Sequence, residues 1–64
     1  MPAFFMRLDG SRLVTIGSHN VAGYLADGPE KAIRRLKAGE SCYLRKLGDN
    51  KAKVEAAFAL SAMP

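Results

Sequence analysis

The chain has 64 residues, a single cysteine, a single histidine and a net charge of +4. Internal disulfides and Cys/His metal sites are thereby excluded, and the acids are too scattered for a carboxylate metal site. A domain below roughly 70–80 residues then has self-association as its remaining staple, so a homodimer is one expectation.

Hydrophobic residues at 48% and charged residues at 25% describe an ordered globular chain, not a disordered one. No apolar run reaches the roughly 18 residues of a membrane span. Residues 1–6 are too short and lack the basic flank of a signal peptide, and a lone thiol suits a reducing interior. The expected address is the cytoplasm, with no membrane partner. Ten Lys+Arg against six Asp+Glu favour an anionic partner, although the same excess also serves solubility.

In chain order, residues 3–8 and 12–17 are β-favouring runs around Asp9-Gly10-Ser11, a strong hairpin signal. A two-residue Asp9-Gly10 turn sets Arg7 against Arg12, and opposed like charges destabilise a sheet. A three-residue loop pairs Leu8 with Arg12, Met6 with Val14 and Phe4 with Ile16, and gives one apolar face. The second register is therefore expected.

Ser18 is placed to cap a short helix through residues 21–25, which Gly23 weakens by about 1 kcal/mol. The best helix spans residues 29–38. Asp27 or Gly28 caps it, Pro29 suits its first turn, and Gly39 stops it. Glu30 and the cations Arg34, Arg35 and Lys37 complement the helix dipole. Ala32, Ile33 and Leu36 form one stripe, with Lys31, Arg34 and Arg35 on the opposite side.

Residues 41–47 read as a third strand. Residues 51–61 fit a helix lined by Val54, Ala57, Phe58 and Ser61, or a strand alternating at Val54, Ala56, Phe58 and Leu60. Alanine content favours the helix. Residues 62–64 are expected to fray. The result is a small two-layer α+β domain in β-β-α-β-α order, with an N-terminal hairpin, a third strand and one or two helices on one face.

Six features of the sequence bear on chemistry. Lys31, Arg34, Arg35 and Lys37 make a cationic helix face that can neutralise phosphates without reading sequence. Glu30 at i,i+4 from Arg34 blunts that reading, and a solvated face is the plainer alternative. Tyr43, with Arg45 and Lys46 close by, offers stacking plus phosphate contact, although the aromatic ladder of an RRM-type sheet is missing. Ser18-His19 lacks the converging geometry of a nucleophile and base. Cys42 reads as a small buried hydrophobe. The glycines form no phosphate loop, and no cofactor is implied. Phe4, Phe5 and Met6 point apolar groups to both sheet faces, so the second face calls for a covering helix or another molecule.

No acid–base–nucleophile set is visible, and so small a core can scarcely enclose a pocket. The expectation is a non-catalytic binding or regulatory protein that associates with nucleic acid through the basic helix. The alternative is an adaptor or inhibitor, of the kind mobile elements encode, that binds a larger protein through Phe4, Phe5 and Met6 and an exposed strand edge.

Overall fold

The computed structural model describes residues 3–61, without the side chains of Ser18, His19 and Ser61. The expected fraying of Ala62, Met63 and Pro64 lies outside the described residues.

Strand β1 (Ala3–Asp9) and strand β2 (Arg12–His19) form the N-terminal hairpin. Neither expected register is realised. Asp9 pairs with Arg12, Leu8 with Leu13, Arg7 with Val14, Met6 with Thr15 and Phe5 with Ile16. The loop is Gly10-Ser11, and Gly10 takes the left-handed conformation at φ 65° that such a turn requires. Asp9 thus stays in the strand, where an acid faces Arg12 and no arginine faces another. Leu8 and Leu13 share the core side, so burial and turn chemistry agree in this register. The pairing then shifts between Phe5 and Ala3, which meets His19. That is a β-bulge near the end of β2.

Residues 20–24 are irregular, and the short helix expected there is absent. Ser18 lies in β2 instead of capping a helix. The chain next forms a strand too short to read from sequence, β3 (Leu25–Ala26). It exists because β4 (Cys42–Arg45) pairs with it in parallel, Leu25 to Tyr43 and Ala26 to Leu44. The order is therefore β-β-β-α-β-α, with one strand more than expected. The sheet runs β2-β1-β4-β3. Strand β1, predicted to offer an edge, is internal, bonded to β2 on one side and β4 on the other.

Helix α1 (Pro29–Lys37) crosses between β3 and β4, as parallel neighbours require. Its first bond runs from Ala32 N–H to the Gly28 carbonyl. It ends in a Schellman motif: Gly39 N–H donates to Leu36 O and Glu40 N–H to Arg35 O. Gly39 holds the left-handed φ of 85° that this stop demands. Helix α2 (Asn50–Ser61) settles the ambiguous C-terminal segment as helix, begun by Lys53 N–H donating to Asp49 O.

Alternation assigns the two sheet faces. Met6, Ala26, Cys42 and Leu44 are buried against Ala32 and Leu36 of α1 and Val54 and Phe58 of α2, with Phe4, Leu8, Leu13 and Ile33 at the margin. Fully burying each larger side chain contributes about 1.5–3 kcal/mol. Phe5, Val14, Ile16, Leu25 and Tyr43 lie on the opposite face, where Phe5 and Tyr43 meet edge to face at 5.2 Å. Ile16 is 46% exposed there.

Candidate nucleic-acid interface

Helix α1 sets the site. Ala32 and Leu36 turn inward, so helical spacing turns Lys31, Arg34 and Lys37 outward, and all three are exposed. Arg35 is one step closer to the sheet and only half-exposed. Its guanidinium lies over the Tyr24 ring, 3.9 Å from the centroid, in a cation–π contact. Tyr24 itself is held by backbone: its carbonyl accepts from Tyr43 N–H at 2.8 Å. A shallow depression runs between them, lined by Tyr24, Lys31, Arg34, Arg35, Ala38 and Glu40.

Acids interleave with these cations. Asp27 reaches Lys31 at 3.6 Å and Arg45 at 4.0 Å, tying the end of β4 to α1. Glu40 lies 3.8 Å from Arg35 Nε. All these distances exceed hydrogen-bond length, and both acids are more than half exposed. Such pairs are worth about 0–1 kcal/mol each, so an arriving phosphate can displace the carboxylate.

The structure therefore brings Lys31, Arg34 and Arg35 together, links Arg45 to Lys31 through Asp27, and leaves Lys37 exposed at the last turn of the same helix. Lys46 belongs to a different cluster. Its ammonium stands 4.9 Å from the centre of the Phe4 ring, and Lys51 stands 5.2 Å from it. Phe4, Phe5 and Met6 separate as alternation requires. Met6 is wholly buried, Phe4 lies at the core margin and Phe5 is on the other face.

Comparison with protein-family models, with curated proteins and with solved structures returned no match. The chemistry of the site has to speak from the residues alone.

Three contributors escaped the sequence reading: Tyr24, Asp27 as a bridge, and Glu40. The sequence places Tyr24 in a short helix, which hides its position beside α1. Asp27 and Glu40 flank α1 just outside its ends, where acids reach back to helix cations, and that proximity was the available signal. The Phe5–Tyr43 contact was also missed, although both residues have outward parity.

Cys42 belongs to the core. It is buried at 1% exposure. Burial pushes its thiol up from the ordinary value, against a smaller downward pull from Arg35. Among the described residues, no three His, Cys, Asp or Glu side chains are grouped to hold a metal ion. No helix of the described residues is long and apolar enough to cross a membrane.

Proposed function

We propose that this chain is a non-catalytic binding module that associates with nucleic acid through α1. The observation that supports it is the shared depression of Tyr24, Lys31, Arg34 and Arg35, in which a stacked tyrosine and guanidinium sit beside outward cations. Phosphates are met by Lys31, Arg34 and Lys37. An exposed base can meet the Tyr24–Arg35 pair, the combination by which single strands are held without sequence readout. Arg45 supports the site through Asp27.

The test is binding of labelled single-stranded and duplex oligonucleotides over a salt series. Affinity should fall steeply with salt. Combining Lys31→Ala with Arg34→Ala should flatten the slope by about two phosphate contacts. No detectable binding at low salt would remove this reading.

A second reading, docking on a larger protein, is favoured by one observation. The sheet face turned away from the core presents Phe5, Tyr43, Val14, Leu25 and the exposed Ile16 together. Affinity capture at physiological salt separates the two: bulk nucleic acid supports the first, one stoichiometric protein the second.

A further inference from the structure

The free edge of β2 has a polarity that can be worked out bond by bond. Tyr43 N–H donates to Tyr24 O, so Tyr43 aims its backbone groups toward β3. Those groups alternate in direction along a strand, so Cys42 and Leu44 aim theirs at β1. Their partners are Met6 and Phe4, which therefore bond to β4. Phe5 and Arg7 must then bond to β2, through Ile16 and Val14. Leu13 and Thr15 are left pointing N–H and C=O away from β1, at an edge where no other strand pairs among the described residues.

This edge carries few of the usual protections. β2 runs for eight residues without proline, Arg12 is its only Lys or Arg, and it contains no acid. Its one irregularity is the bulge beyond Ile16. Natural edges of this length are normally broken by charge, proline or a covering element.

We propose that two copies of this chain join antiparallel through β2, merging two four-stranded sheets into one, with Thr15 facing Thr15 of the second copy across a twofold axis. Three features fit a second copy as the occupant. First, the pairing is self-complementary: Thr15 exchanges bonds with its equivalent, and Val14 falls opposite Ile16 of the second copy. Outward-facing Val14 and Ile16 then extend the row Tyr43–Phe5–Ile16 already formed within each chain.

Second, charge permits it. Arg12 lies opposite position 18, so the two arginines sit about 20 Å apart along the strands, beyond the screening length of about 8 Å at physiological salt. Third, the helix layer continues the contact. α2 touches β2, and its Glu55, Phe58 and Ala59 line a groove with Ser11, Arg12 and Leu13. Ala52, Ala56 and Ala59 are exposed on α2, small enough for the second copy's α2 to approach closely. A stable dimer buries about 800 Å² per partner, roughly a fifth of this chain's 4161 Å².

The experiment is sedimentation of the full, nuclease-treated chain at high salt, where nucleic acid is released, so the outcome is independent of the proposed function. The expected species has twice the 6.9 kDa chain mass. Thr15→Pro removes only an edge-facing N–H, and proline is tolerated on such an edge. It should leave the circular dichroism unchanged and weaken dimerisation about 100-fold, the effect of losing two interchain bonds. Should Thr15→Pro unfold the chain, Ile16→Lys decides. That side chain is 46% exposed in the single chain, and only the dimer sets it opposite Val14 of the second copy and close to its own charged equivalent. Loss of the dimer in a folded variant supports the proposal. A chain that stays at single mass at every concentration, or a dimer that survives the deciding variant, overturns it.

Discussion

Cys42 opens β4, opposite Met6, and belongs to the core cluster packed against the helices. A thiol is neutral when protonated, so a folded-state value raised by burial means the folded chain keeps its proton where the unfolded chain releases it. Nothing changes below the ordinary value of 9.0. As pH rises past it, the unfolded state binds fewer protons and stability falls, at up to about 1.4 kcal/mol per pH unit until the folded thiol also ionises. Urea unfolding compared below and above that value should show this fall in the native chain. Cys42→Ala should be less stable at neutral pH by about 1 kcal/mol and should fall less steeply above pH 9.0. Parallel pH profiles for the two proteins would remove this account. The burial of Cys42 was legible because a thiol in an alternating run is a small hydrophobe. The split of Phe4, Phe5 and Met6 was legible for the same reason. The contact of Tyr24 with Arg35 was not, because it depends on β3 holding residue 24 beside a helix that begins several residues later.

At the scale of elements, α2 shows how little periodicity can decide. Its exposed side mixes Ala52, Ala56, Ala59 and Leu60 with Lys53 and Glu55, so no clean polar face marks it and it fits a strand pattern as well as a helical one. Alanine's backbone preference resolved it, and Val54 and Phe58 supply the tertiary anchor. Two truncations on this helix should therefore differ sharply. Phe58→Ala should cost about 3–5 kcal/mol, most of what a domain of this size possesses. Leu60 is 70% exposed, and Leu60→Ala should change stability by less than about 0.5 kcal/mol. Chemical denaturation of both variants checks the pair, and equal losses would mean that α2 packs by another face. α1 was fully legible because proline, dipole charges and a stop glycine agree. β3 was not, because two residues carry no period and its existence rests on pairing with β4. The hairpin was legible as a hairpin. Its register was not, because Asp-Gly signals a loop that starts at Asp9, whereas Asp9 gains a cross-strand partner in Arg12 by staying in the strand.

At the scale of the whole molecule, a thin core must hold four strands and two helices with no disulfide available. Net stability for such a domain rarely exceeds about 3–5 kcal/mol. Anything that binds only the folded chain therefore shows directly in its thermal midpoint. Edge pairing through β2 makes the chain its own stabilising ligand. For unfolding of a dimer to two chains, each tenfold rise in protein concentration adds about 1.4 kcal/mol per dimer, or about 0.7 per chain. For a domain of this length that raises the midpoint by about 3–6 °C. Calorimetry over a concentration series at high salt measures the shift with no oligonucleotide present. Thr15→Pro should move the rise in midpoint to about 100-fold higher protein concentration while keeping a cooperative transition, because the intrachain ladder to β1 is untouched. A midpoint independent of concentration in the native chain would show that the two helices and four strands stabilise the fold alone. The free edge of β2 would then be held apart by its bulge.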